Sequence, residues 1–201
     1  MGKLIVVGLT GPTGAGKTTV SKLLAQNGYR VIDADLVSRE VVMPGTPCLA
    51  EIRCVYGEAV INEDGTLNRR ALGGIVFADK QKLRQLEEIL YPSIIGRINE
   101  MLKQCEQEGE QVVILDAPTL FESGANSLCD YILVVMAPQS ARLMRIMARD
   151  NLTLEQAMQR ILAQQSEDFY IKRADYVVDN GAANPDYPAL LTWLKEIKEK
   201  R

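Results

Sequence analysis

Residues 3–19 read KLIVVGLTGPTGAGKTT, and this stretch decides the architecture. Lys3 to Leu9 is a β-branched apolar run without polar alternation, the pattern of a strand buried on both faces. After Thr10, the segment Gly11-Pro12-Thr13-Gly14-Ala15-Gly16-Lys17-Thr18 satisfies G-x-x-x-x-G-K-[ST] at every fixed position. Its glycines let the backbone turn so that successive N–H groups point at phosphate oxygens. A helix starting near Lys17 adds the positive end of its dipole. Lys17 is placed to reach the β- and γ-phosphates of a nucleoside triphosphate, and the Thr18 hydroxyl to ligate Mg²⁺. The expected nucleotide-binding set is Gly11, Gly14, Ala15, Gly16, Lys17, Thr18 and Thr19.

Outward from this loop, short apolar runs alternate with helical patterns. Strands are expected at Arg30 to Ile32, Gln111 to Leu115, Tyr131 to Met136 and Tyr176 to Val178. Leu154, Ala157, Met158, Ile161 and Leu162 follow a helical repeat, with Thr153 and Gln156 as its capping box. Leu83, Leu86, Ile89 and Leu90 mark a helix stopped near Pro92, and Ile94 to Cys105 marks another ending by Gly109. Leu190, Leu191, Leu194 and Ile197 give a C-terminal helix entered at Asn184-Pro185. This order predicts an α/β fold with a parallel five-stranded sheet flanked by helices, its ligands at the carboxyl ends of the strands. Ala34 to Gly109 shows helices and no convincing strand, and is read as a helical insertion carrying acceptor-binding groups.

At 201 residues the chain fits one compact unit with a small lid. The 23 Lys and Arg against 26 Asp and Glu give a net charge of -3, so nothing attracts nucleic acid or an anionic membrane in general. No apolar run reaches the length of a membrane span, and a cytoplasmic protein is expected. Cys48, Cys54, Cys105 and Cys129 form no C-x-x-C pair and are expected to be reduced, mostly structural thiols. The chain has 0 histidines, which removes imidazole bases and histidine triads and leaves a carboxylate, Lys, Tyr or Cys as any catalytic base.

Acidic residues close two of the strands. Asp33 and Asp35 follow the second and Asp116 the third, so all three are expected beside the phosphate loop. Asp116 stands where an acid would hold the Mg²⁺ shell, directly or through water. Asp33 is already ionised at neutral pH and therefore a weak base. Its expected task is to orient an acceptor hydroxyl. Arg142, Arg145 and Arg149 share one helical face after the fourth strand, which suits a lid closing on phosphates; Arg145 and Arg149 are the favoured pair. Leu143 and Met147 are expected to pack on another side of that helix. The loop itself does not name a reaction, since GTPases, ATPases and small-molecule kinases share it. The chain lacks an N-K-x-D guanine motif, a D-x-x-G switch after the third strand, and the basic insertion of a nucleic-acid motor.

Taken together, the segments resemble the dephospho-CoA kinase family over nearly the whole chain. The likeness is carried by GLTGPTGAGKTT at 8–19, VIDADLVSREVVMPG at 31–45 and DGTLNRRAL at 64–72, with VF at 76–77 and LYPSI at 90–94. It continues in LDAPTLFE at 115–122, RIMARD at 145–150, RILAQQ at 160–165 and ADYVVDNG at 174–181. The VIDAD and DG-x-L-x-R segments are specific to the family; the glycine loop is not. The resemblance implies a P-loop kinase with a helical CoA-binding part and a lid, phosphorylating the ribose 3′-hydroxyl of dephospho-CoA with ATP and Mg²⁺.

By that resemblance Asp33 contacts the acceptor hydroxyl, while Asp35, Arg39, Arg69 and Tyr91-Pro92 lie in the acceptor-binding part. Arg145 and Arg149 belong to the lid, and Asn180-Gly181 approach the adenine. The implied division is a core of about 1–33, 110–137 and 174–201, a CoA-binding insertion of about 34–109 and a lid of about 138–173. A monomer is expected. Tyr91 stands where the family usually has His, and Thr119 where it usually has Leu. Another small P-loop kinase, acting on a nucleotide, nucleoside or shikimate-like alcohol, and a nucleotide-binding module without transfer chemistry are the competing readings.

Overall fold

The computed structural model describes residues 3–181 and 185–200. Five strands, β1 (Ile5–Thr10), β2 (Arg30–Asp33), β3 (Val112–Asp116), β4 (Tyr131–Met136) and β5 (Tyr176–Asp179), form one sheet in the order β2-β3-β1-β4-β5. β1 pairs in parallel with β3 on one side and β4 on the other, and β4 pairs in parallel with β5. All of β1 is buried, as its unbroken apolar run requires. In this order the chain leaving β1 runs past β3 to reach β2, and the chain leaving β3 runs past β1 to reach β4. The carboxyl ends of two neighbours whose connections part in this way border the crevice where such sheets bind ligands. In the register Leu9 is level with Asp116, so the acid closing β3 stands next to the start of the glycine loop.

Contacts divide the chain into two units, one of Met1–Ile32 and Gln104–Arg201 and the other of Asp33–Lys103. In the first, α1 (Lys17–Gln26) and α9 (Tyr187–Glu199) cover one face of the sheet. Val20, Leu24, Leu190 and Leu194, all 0% exposed, pack there on Ile5, Val7 and Leu9. Trp193 of α9 stacks on Tyr176 at 4.8 Å between centroids. On β4, Val134 and Met136 cluster with Tyr170 of α8 (Glu167–Ile171), and Phe121 and Phe169 pack against them. Gly8 in β1 is closely surrounded: a Cβ there would lie 2.7 Å from Cys129 Sγ and 2.8 Å from a Leu120 methyl. α6 (Gln139–Asp150) and α7 (Leu154–Leu162) complete the unit. The predicted Thr153–Gln156 capping box opens α7, with both reciprocal bonds made. Asp186 caps α9; Asn184, expected at its entrance, lies outside the described residues.

The second unit contains α2 (Ala34–Glu40), α3 (Pro47–Tyr56), α4 (Arg69–Val76) and most of α5 (Lys80–Gln107). Asp33, Thr46 and Asn68 cap α2, α3 and α4 through side-chain oxygens that accept backbone N–H groups. The DG-x-L-x-R segment is a turn that delivers Arg69 to the start of α4. Asp64 Oδ1 accepts from Thr66 N and Oγ1, Gly65 takes φ 80°, and Ile61 bridges to Leu67. The two Thr66 bonds hold the Asp64 carboxyl below the usual range.

The expected break at Pro92 does not occur. α5 runs unbroken through the proline for 28 residues. A proline inside a helix costs about 3 kcal/mol or more. Here the buried row continues on both sides, with Leu86 and Ile89 before it and Ile98, Leu102 and Cys105 after, and that packing outweighs the lost bond. The helix ends where Gly109 takes φ 86°.

Candidate active site

The glycine loop leaves β1 at Thr10 and enters α1 at Lys17. Gly14 and Gly16 have φ of 78° and 94°, a region costly to a residue with a Cβ. Space is as restrictive as conformation. A Cβ on Gly11 would sit 2.2 Å from Val135 O, and one on Gly16 would sit 2.0 Å from Asn180 Nδ2. Ala15 N–H donates to Pro12 O at 3.1 Å, drawing the loop into a turn.

Three consecutive loop carbonyls meet donors. Thr13 O accepts from Arg142 Nε at 3.0 Å, and Gly14 O from Arg145 Nη1 at 3.2 Å. Ala15 O accepts from Arg145 Nη1 at 3.1 Å and from Asn180 Nδ2 at 2.8 Å. Across a planar trans peptide the next N–H points the opposite way. Fixing these carbonyls toward α6 and Asn180 therefore turns the Gly14 and Gly16 amides away from them. Asn180, 7% exposed, is itself held: Tyr187 Oη donates to its Oδ1 at 2.6 Å, and its carbonyl accepts from Arg145 Nη2 at 2.9 Å.

Lys17 and Asp116 form an ion pair, with the ammonium donating to Oδ1. Asp116 is 6% exposed, so the lysine balances a carboxylate withdrawn from water. Thr18 and Thr19, on the first turn of α1, are exposed. Among the described residues no group of three or more carboxylate or thiol side chains could hold a metal. Mg²⁺, however, commonly takes only one or two protein carboxylates, with substrate phosphates and water filling its shell.

The three arginines expected to share one face of the lid helix differ in burial. Arg142 is 3% exposed and bonded to Glu167 at 3.2 Å as well as to Thr13. The fully buried apolar residue of α6 is Ile146, with Leu143 and Met147 half-buried. Spacing identified which residues share a face but not which way the face points. Arg149 bonds Asp150 through both Nε and Nη2, and Arg160 of α7 pairs with the same carboxylate. Those guanidinium groups hold the Asp150 carboxyl below the usual range, Arg149 most strongly.

Asp33 ends β2 and caps α2, where its Oδ1 accepts from Asp35 N at 2.8 Å and Leu36 N at 3.2 Å. Arg39 is exposed in the last turn of α2, and Arg69 is exposed at the start of α4. Tyr91 and Pro92 line a surface cavity of about 400 Å³ on α5 with Arg84, Glu87 and Glu88. Gly181 N donates to Asp179 Oδ1, and a Cβ at Gly181 would strike Pro138 at 1.9 Å.

Sequence reasoning missed three participants: the burial of Arg142, the Tyr187 hydroxyl behind Asn180, and Gln164, whose Oε1 accepts from Thr13 N at 2.8 Å. Gln164 lies in the RILAQQ segment, but no local spacing signals a contact 151 residues away. Burial, and then Asp130, pushes the Cys129 thiol up to about 12, and burial raises Tyr170.

Sheet order, loop and part-buried lysine–carboxylate pair define the class: a P-loop phosphotransferase of the small-kinase type. The dephospho-CoA kinase family model matches residues 5–186. The chain is 46% identical to the dephospho-CoA kinase of Listeria innocua over 180 residues, 90% of this chain and 89% of that one. It is 41% identical to that of Listeria monocytogenes serotype 4b over 202 residues, covering 100% of both. The solved dephospho-CoA kinase from Campylobacter jejuni superimposes with TM-score 0.71 at 26% identity, covering 97% of this chain and 98% of the other. The chain belongs to the dephospho-CoA kinase family.

Proposed function

We propose that this chain transfers the γ-phosphoryl group of ATP to the ribose 3′-hydroxyl of dephospho-CoA, giving CoA and ADP. The observation that carries the donor half is the part-buried Lys17–Asp116 pair beside a loop whose carbonyls are held on one side. The acceptor half rests on family membership.

Phosphoryl transfer through a loose transition state asks the protein for positioning and charge stabilisation rather than covalent chemistry. The loop amides and Lys17 hold the β- and γ-phosphates. When Lys17 turns to the phosphates, Asp116 loses the partner that balances it, and an uncompensated buried carboxylate is costly. A divalent cation fits that vacated role, with Asp116 and the Thr18 hydroxyl as its protein ligands. Bound there, Mg²⁺ would neutralise charge on the β- and γ-oxygens.

Asp33 orients the acceptor hydroxyl, its direction fixed by the cap on α2 that engages Oδ1. Asp35, Arg39, Arg69, Tyr91 and Pro92 supply acceptor contacts from the helical part of about 34–109. The segment of about 138–173 serves as lid with Arg149 and Arg145 as its cations, Arg145 reaching phosphate only by leaving the Gly14, Ala15 and Asn180 carbonyls it bonds, and Asn180-Gly181 border the adenine. The test follows ADP release with dephospho-CoA, AMP, shikimate or no acceptor. Stimulation by dephospho-CoA alone is expected. Stimulation by AMP or shikimate instead would overturn the acceptor, and no acceptor-dependent turnover would leave a nucleotide-binding module.

A further inference from the structure

Thr13, at the apex of the loop, is gripped at both its peptide groups by one stretch of chain. Its N–H donates to Gln164 Oε1 at 2.8 Å, and its carbonyl accepts from Arg142 Nε at 3.0 Å. Arg142 lies in α6 and Gln164 follows α7. Arg142 is in turn held by Glu167, the first residue of α8, at 3.2 Å. Gly14, the next residue, is pressed onto α6 so closely that a Cβ would lie 2.8 Å from Arg142 O.

The neighbouring bonds separate two kinds of contact. Arg149, 61% exposed, spends its guanidinium on Asp150 and is available at the surface. Arg142 is 3% exposed, and its hydrogen bonds go to Thr13 and Glu167. A guanidinium so placed acts on phosphate only through the loop. The planar peptide supplies the means: with the Thr13 carbonyl drawn to Arg142, the Gly14 N–H of the same peptide must point away from α6. Gln164 fixes the preceding peptide, so Thr13 cannot rotate about either flanking bond without breaking a hydrogen bond.

We propose that Arg142 and Gln164 are paired positioning residues that grip Thr13 and set the direction of the Gly14 amide that binds nucleotide phosphate. This rests on the loop's reading as a nucleotide cradle but not on the identity of the acceptor. The grip also ties the geometry of the loop to α6 and to the turn that follows α7, so nucleotide occupancy and the placement of those two stretches depend on each other.

Calorimetric titration of MgADP into the full chain tests this without any acceptor, so failure of the dephospho-CoA assignment would leave the result readable. Gln164→Met removes the acceptor oxygen, and Arg142→Lys keeps the charge while losing the guanidinium geometry. Each single variant is expected to weaken MgADP binding by about 3- to 10-fold, the range of one lost hydrogen bond. The double variant is expected to be no worse than the weaker single by more than about 2-fold, because both bonds hold one residue. Ser166→Ala removes the cap of α8 without touching the loop, and should leave affinity within about 2-fold of the parent. Unchanged affinity in folded Gln164→Met protein overturns the proposal. So do losses that multiply in the double variant, or a Ser166→Ala loss equal to that of Gln164→Met. If Arg142→Lys fails to fold, Gln164→Met and Ser166→Ala still decide it.

Discussion

The sheet unit and the helical unit place their polar side chains in opposite ways. In the sheet unit the charged groups near the loop turn inward: Arg142 and Asp116 are buried, Lys17 is committed to Asp116, and Arg145 spans two loop carbonyls and Asn180. In the helical unit Arg39, Arg69 and Pro92 are exposed, and Arg97 answers Glu40 and Glu100 at the surface. The first region is set in advance, the Gly14 and Gly16 amide directions fixed by donors to the carbonyls before them. The second keeps these side chains at the surface. Phosphate recognition needs amides aimed to a fraction of an ångström, whereas a large acceptor can be held by many individually weaker contacts.

The sharpest way to break this contrast is Lys17→Ala. It removes the ammonium from phosphate in ground and transition states alike and also strands Asp116 in the interior. kcat/KM for ATP should fall by about 10²- to 10³-fold with a weaker Kd for nucleotide, measured by ADP release and calorimetry. Intact nucleotide affinity in this variant would remove Lys17 from the phosphate site. Asp33→Asn comes next. It should lower kcat by about 10²-fold while nucleotide Kd stays within about 2-fold, since orientation of the acceptor is what it loses. A collapse of nucleotide affinity would show that Asp33 serves the donor instead.

Ile98→Ala tests the helical side by packing rather than charge. Ile98 is 0% exposed, and truncation should cost about 2–5 kcal/mol, seen as an earlier loss of helical ellipticity on heating. Nucleotide affinity at 25 °C should be retained. An equal loss of both would mean that the loop's order depends on the helical core. The smallest effect concerns Asp150, which joins Arg149 of α6 to Arg160 of α7. Its carboxyl is held below the ordinary value, so the tie is complete above the unfolded carboxylate's pKa and is lost as pH falls through the lowered one. The Tm difference between parent and Asp150→Asn should be present at neutral pH and vanish in acid.

Much of the sheet unit was legible because its signals are local. Unbroken apolar runs marked the strands, and a spaced set of glycines with Lys17 and Thr18 marked the cradle. Asp116 was legible for the same reason, as an acid ending a buried strand. The carbonyl side of the cradle was not legible. Arg142, Gln164, Asn180 and Tyr187 reach it over long separations, and sequence spacing carries no information about such encounters. The expected stop at Pro92 failed for a related reason: local chemistry says break, and apolar rows on both sides hold the helix together. In the helical unit, Asp64-Gly65 and the caps at Thr46 and Asn68 account for the local turns. The acceptor residues proposed there came from family resemblance, since exposed arginines have no pattern that distinguishes a ligand contact from a solvated surface.

The crowding around Gly8 has a consequence for how the family can vary. Position 8 and position 129 share a single small volume beside β1, with Leu120 as its third wall. A methyl at 8 can be admitted only if the sulfur at 129 and the Leu120 methyl both give way, so Gly8→Ala should be damaging by itself and relieved in part by Cys129→Gly. Across relatives the two positions should then change together, a larger residue at one accompanying a smaller residue at the other. That linkage would conserve the cysteine for its size alone, with its thiol chemistry silent.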